Sequence, residues 1–229
     1  MGGGFHPWIL HLDETYFYEP TLKSLGVEVD LREYGIPKYM CEIKKLNEIE
    51  RVIPSFERAL CFIGKGDYHY ISYILLKRVK VPFCLVVIDN HLDMQVFIRE
   101  CISCGSWMQN AVCLRNLEKI IHIGKKDLKM KVKERVYSIG FDISKLKMLI
   151  GELPVYISID KDILHKSLVN TNWDQGNLFL EDLIKVLSYI PRDRIIGIDV
   201  CGEPAFNLFS FEFRRSEKIN LAILEFFNE

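Results

Sequence analysis

Asp89, His91 and Asp93 stand at alternate positions where the apolar run PFCLVVID gives way to NHLDM. A strand points residues i, i+2 and i+4 to one face, so two carboxylates and an imidazole can converge on one point. Beside a buried strand and without a counter-ion, the carboxylates would repel one another and lose hydration, and a cation relieves both. The pattern implies a bound metal. The competing reading is a strand-end turn with solvated acids and a capping Asp.

Other apolar runs end in groups of the same kind. GKGDYH carries Asp67 and His69, SIDKD carries Asp160 and Asp162, and IIGIDVCGEP carries Asp199 and Glu203. In an open parallel sheet the carboxyl ends of the strands share one edge, where ligands bind, so these ends can form one site. His69, Asp89, His91, Asp93, Asp160 and Asp162 are more groups than one tetrahedral zinc needs, which predicts two ions. Carboxylates with two imidazoles and no thiolate favour a hard or borderline ion such as Mn²⁺. Ions sharing carboxylates sit close enough to share and deprotonate one water.

The elements that must position these groups alternate along the chain. Strands are predicted at 8–13, 59–64, 82–89, 119–124, 154–160 and 194–200, with near-continuous apolar runs that suit a sheet covered on both faces. Helices are predicted at Leu46–Leu60 with a break at Pro54, His69–Arg78, Trp107–Leu114, Ile143–Leu149, Leu178–Ile190 and Ser216–Phe227. Alternation of this kind means right-handed crossovers and a mainly parallel sheet, hence a three-layer αβα fold. The stretch Tyr18–Cys41, with Pro20, Gly26, Gly35 and Pro37, is expected to loop over the surface. No linker or repeat divides residues 1–229, which are expected to form one domain.

Composition narrows the function. Thirty basic against 31 acidic residues give a net charge of −1, with no basic block to track phosphates, so nucleic acid is an unexpected partner. Charges interrupt every apolar run well short of a membrane span, and MGGGFHPW is neither a secretory signal nor a myristoylation signal; a soluble, cytoplasmic protein is expected. Seven scattered cysteines with a single CxxC, Cys101 and Cys104, read as reduced thiols rather than a structural zinc site.

GKGDYH, DNHLD, SIDKD and DVCGEP, in that order, resemble the GGDH, DAHxD and SxDxD motifs and late Glu of the arginase, agmatinase and formimidoylglutamase superfamily of ureohydrolases. The resemblance implies an arginase-like α/β fold and two manganese ions held by His69, Asp89, His91, Asp93, Asp160 and Asp162. It further implies that Asp93 orients a metal-bridging hydroxide, that Glu203 holds a substrate guanidinium, and that a C–N bond of a guanidino small molecule is hydrolysed. The chain departs from the pattern in three places. GKGDYH has one extra residue between Asp and His; ILHKSLVNTNWDQG replaces the loop after SIDKD; and RECISCGSWMQN, after DNHLD, has no histidine and leaves Asn110 as its remnant of a substrate loop.

Several residues carry two readings. Glu203 is either the guanidinium holder or a carboxylate before a Pro turn. His165 is either a substitute proton shuttle or a surface loop residue. Trp173 is either a pocket-rim aromatic that contacts substrate or a loop anchor. His122 reads as a core histidine, and His11 and Asp13 as outlying contacts. A homo-oligomer is compatible with the sequence. The alternative functions are a metal-binding protein of this fold without turnover and, ranked last, an amide deacetylase, whose tandem histidines are absent here.

Overall fold

The computed structural model describes residues 4–55, 58–96, 98–125, 134–205 and 211–229. Along the chain these form β1 (His6–His11), α1 (Pro20–Leu25), β2 (Val27–Asp30), β3 (Met40–Glu42), α2 (Ile43–Val52), β4 (Ala59–Phe62), α3 (Ile71–Lys77) and β5 (Phe83–Ile88). There follow β6 (Cys101–Ser103), α4 (Trp107–Ala111), β7 (Leu117–Ile123), β8 (Val136–Ser138), α5 (Leu146–Ile150), β9 (Val155–Asp160), α6 (Leu180–Ser188), β10 (Ile195–Cys201) and α7 (Glu212–Asn228). Eight strands make one sheet in the order β2-β1-β4-β10-β9-β5-β7-β8, and every pairing in it is parallel. β3 and β6 pair separately and antiparallel.

Alternation along the central strands sorts their side chains into two cores. Phe62, Val86, Ile88, Ile157, Ile159, Ile198 and Val200 pack with residues of α1, α5, α6 and α7 on one face. Cys61, Ile63, Leu85, Val87 and Tyr156 pack with residues of α2, α3 and α4 on the other. Helices on both faces of a parallel sheet make the three-layer αβα fold predicted above.

Two sequence expectations need correction. Tyr18–Cys41 is not a plain loop: it holds α1 and the edge strand β2, which pairs in register with β1 from Trp8↔Val27 to His11↔Asp30. VEVD is exposed along most of its length, so it lacks the apolar run by which buried strands announce themselves. The helix expected over Leu46–Leu60 spans Ile43–Val52 instead. Ile53 precedes Pro54 and is extended, and the Arg78 guanidinium takes the end carbonyls of Glu50 and Ile53 at 2.5 and 2.7 Å.

Candidate metal centre

β4, β10, β9 and β5 are neighbours in the sheet, so the polar residues at their carboxyl ends meet. Asp160 closes β9, Asp89 follows β5, and a short helical turn, Gly66–Tyr68, leads from β4 to His69. That turn absorbs the extra residue of GKGDYH and brings His69 into the cluster. Its Nδ1 lies 3.3 Å from Asp89 Oδ2, 3.2 Å from Asp93 Oδ2 and 3.4 Å from Asp160 Oδ2. His91 Nδ1 lies 2.7 Å from Asp162 Oδ2 and 3.8 Å from Asp89 Oδ1. All six residues predicted as ligands therefore converge. They fall into overlapping groups of metal-ligand spacing: His69, Asp89 and Asp93; Asp89, His91 and Asp162; and His69, Asp160 and Cys201.

Asp89 is common to two of these groups, with one oxygen turned to each histidine. Two buried atoms in the middle, His69 Nδ1 and Asp89 Oδ2, have no hydrogen-bond partner. Buried polar atoms are seldom left so, and each orphan costs roughly 1–3 kcal/mol unless something occupies the gap. The polar shell behind His69 explains which of its nitrogens faces the gap. Ser158 Oγ and Ser72 Oγ each donate to Asp199 Oδ1, at 2.7 and 2.9 Å. With its proton committed there, Ser158 can only accept from His69 Nε2–H, 3.0 Å away, which turns Nδ1 toward the carboxylates. Trp107 Nε1 donates to Asp93 Oδ2 at 2.9 Å and fixes that carboxylate. Sequence reading missed these supports, although Ser158 stands two residues before Asp160 and so on the same face of β9. Ser158→Ala is expected to weaken metal binding about 10–100-fold with the fold intact; an unchanged titration with metal would show that the relay does not orient His69.

Burial and mutual charge show in the proton affinities. Burial, then the charge of Asp89, pushes Asp93 up to about 7. Burial and Asp89 raise Asp160, and burial with Asp160 and Asp89 raises Asp162 well above the usual range. Burial lowers the affinity of His69 for a proton, but Cys201, Asp89 and Asp93 together raise it well above the ordinary value. A site that draws in protons so strongly is one a cation can occupy, in competition with them.

The other predicted residues lie in different places. Asp89, His91, Asp93, Asp160 and Asp162 open on a cavity of about 1100 Å³ that is also lined by Gly66, Cys104, Gln109, Trp173 and Asp174. Trp173 forms part of its wall, with its ring 6.2 Å from that of His91 and its Nε1 held by Asp67 Oδ1 at 3.2 Å. Asn110 is not among the lining residues; its neighbour Gln109 is. His165 is also outside, stacked on Phe179 and bonded to Ser167 Oγ at 2.8 Å. Glu203 does not reach the cavity, because its fully buried carboxylate accepts from Lys161 Nζ, from Ser216 Oγ at 2.5 Å and from Asn220 Nδ2 at 2.8 Å. His122 is a core histidine, placed between Ser138 Oγ and the Asp89 carbonyl. His11 is buried at the end of β1, beside the edge strand β2, and bonded to Glu28 at 2.7 Å, and Asp13 accepts from Lys65 Nζ at 2.7 Å. Among the described residues no helix is long and apolar enough to cross a membrane.

No protein-family profile matches the chain. It is 39% identical over 219 residues to an uncharacterized protein of Thermotoga maritima, an alignment covering 96% of this chain and 88% of that protein. Among solved structures it is similar to formimidoylglutamase from Bacillus subtilis, at a TM-score of 0.71 and 16% identity over 98% of this chain and 87% of that one. It is also similar to Trypanosoma cruzi formiminoglutamase with Mn²⁺, at a TM-score of 0.64 and 11% identity over 99% and 93% of the two chains. Agmatinases and arginases are among the further matches. The chain therefore belongs to one family with the Thermotoga maritima protein, and its fold is that of the ureohydrolase superfamily.

Proposed function

We propose that the protein is a binuclear metallohydrolase of the ureohydrolase type, which cleaves a C–N bond of a guanidino or amidine-type small molecule. The observation that carries this reading is the pair of orphaned atoms, His69 Nδ1 and Asp89 Oδ2, inside a shell of four carboxylates. His69, Asp89, Asp93 and Asp160 would hold one ion and Asp89, His91 and Asp162 the other. The hard oxygen-rich set and the Mn²⁺ of the Trypanosoma cruzi neighbour favour manganese. Divalent ions there supply Lewis acidity and a water of lowered pKa for attack on a planar carbon.

The chain's own residues supply position. Trp107 fixes Asp93, Ser158 orients His69, and Trp173 walls the cavity beside His91. The departing loop after SIDKD is tied to the ligand set: Asn90 Nδ2 donates to the Asp174 carbonyl at 3.0 Å, and Gly176 N to the Asp162 carbonyl at 2.7 Å. It therefore shapes the substrate space. Asp174, on the cavity wall, is the carboxylate outside the ligand set that can meet a cationic substrate group, since Glu203 is engaged by Lys161.

A second reading, a metal-binding protein without turnover, is favoured by the placement of His165 and Glu203, neither of which lines the cavity. Elemental analysis combined with a panel of guanidino and amidine compounds separates the two. Two manganese ions per chain with release of urea, ammonia or formamide supports the hydrolase. Two ions without turnover across the panel favours the second reading, and a protein that takes up no divalent metal overturns both.

A further inference from the structure

Cys201 closes β10 and is fully buried beside the metal-ligand cluster. Its Sγ stands 3.1 Å from Asp160 Oδ2, and its hydrogen-bond geometry makes it a weak S–H donor to that oxygen. The sulfur, His69 Nδ1 and an Asp160 oxygen form a compact group in which each atom is within 4.8 Å of the others. His69 Nδ1 is the independent pointer to a ligand there: its side chain is 1% exposed and the atom has no hydrogen-bond partner. The backbone is built for the approach. Gly202 has φ +87°, and a Cβ on it would stand 2.4 Å from Asp160 Oδ1, so only glycine lets the end of β10 lie against the end of β9 here.

We infer that Cys201 is a ligand to the ion held by His69 and Asp160, which makes that position mixed in nitrogen, oxygen and sulfur and selects zinc there over manganese. The reasoning rests on the metal-centre reading above and corrects its assumption of a shell without thiolate. Sulfur is a soft donor, and a Cys, His and carboxylate set is one that zinc takes readily and manganese does not. Coordination replaces the S–H proton, which leaves to solvent. The position held by Asp89, His91 and Asp162 has no sulfur within its group and keeps its preference for a hard ion, so the centre is expected to be heterobinuclear.

Cobalt tests this directly, because a thiolate bound to Co²⁺ gives a near-ultraviolet charge-transfer band that oxygen and nitrogen ligands do not. The chelated protein is titrated with Co²⁺, following both that band and the visible ligand-field bands, in the wild type, Cys201→Ser and Cys104→Ser. Cys104 is the control, since its side chain belongs to the lining of the cavity beside the cluster. The expected result is a band in the wild type and in Cys104→Ser that is lost in Cys201→Ser. In parallel, the ratio of Zn²⁺ to Mn²⁺ taken up from an equimolar mixture should fall in Cys201→Ser. Visible bands without a charge-transfer band in the wild type would overturn the inference and leave the metal centre standing, with Cys201 a mere donor to Asp160. Loss of the band in Cys104→Ser instead would overturn it as well. No uptake of Co²⁺ at all would overturn the metal centre and this inference together.

Discussion

Asp89→Asn is expected to lose the response to metal. Asp89 turns one oxygen toward His69 and the other toward His91, so its loss damages both groups of ligands at once. Asn keeps the volume and can still accept from the His91 amide, which Asp89 Oδ1 does at 2.6 Å. What it removes is a charge that pushes Asp93, Asp160 and Asp162 up but that the fold itself favours, since burial is outweighed by His69 and His91, which hold Asp89 below its ordinary value. In the wild type, an ion present at a thousand times its Kd stabilises the fold by about 4 kcal/mol per site, or roughly 8–16 °C in Tm for a chain of this size. Thermal unfolding with excess metal and with chelator reads the response; a full metal-induced rise in Asp89→Asn would sink the shared-ligand assignment.

The same chelated protein should show an inverted dependence on pH. Asp93 ordinarily titrates at 3.8 but in the fold at about 7, so the folded state binds more protons than the unfolded one between those values. Stability is then greatest at the acidic end of this window and declines as pH rises toward 7. Saturating metal should reverse the slope, since it requires the ionised carboxylates.

Lys161→Met should be the most destabilising single change near the site. Lys161 sits between the clustered Asp160 and Asp162 but points away from them, fully buried, into a polar cluster with Glu203, Ser216 and Asn220. Burial raises the carboxyl of Glu203, yet Lys161, with the surrounding hydrogen bonds, brings it below its ordinary value, so it is held as an anion. Removing one partner of a buried ion pair typically costs about 3–5 kcal/mol, which corresponds to a fall of roughly 6–20 °C in Tm. Adding Glu203→Gln should recover much of that stability, and with it metal uptake, because no uncompensated charge remains. If the double variant is no more stable than Lys161→Met, the pair is not what the cluster depends on. The same pairing shows why Glu203 is withdrawn from the cavity: the positive charge it serves is inside the protein.

What could be read from the sequence follows burial. β4, β5, β7, β9 and β10 are covered on both faces and appear as apolar runs, whereas β2, half in solvent, and the three-residue β8 leave no such trace. The convergence of the six residues was legible because alternation and motif order do not depend on tertiary detail; even His69 joins the cluster, its misfit in spacing absorbed by one turn. The supports were not legible. Nothing in the local sequence says that Trp107 will reach Asp93 across 14 positions or that Ser72 and Ser158 will meet on Asp199. Glu203 and His165 lie apart from the cavity lining, a placement that order along the chain does not convey, since the direction of a side chain depends on what the opposite face offers it.

Gly124 gives the centre a condition for transplantation. A Cβ at this position, just beyond β7, would stand 1.7 Å from the Asp89 carbonyl and 3.0 Å from His122 Nε2. Glycine is thus required just past a strand that brings none of the six clustered residues, and any larger residue would shift the backbone from which Asp89 and His91 project. A designer who grafted the ligands of DNHLD and SIDKD onto another parallel sheet would need to bring along this empty place on the adjoining strand. Without it the copied centre would have the right side chains on a displaced backbone.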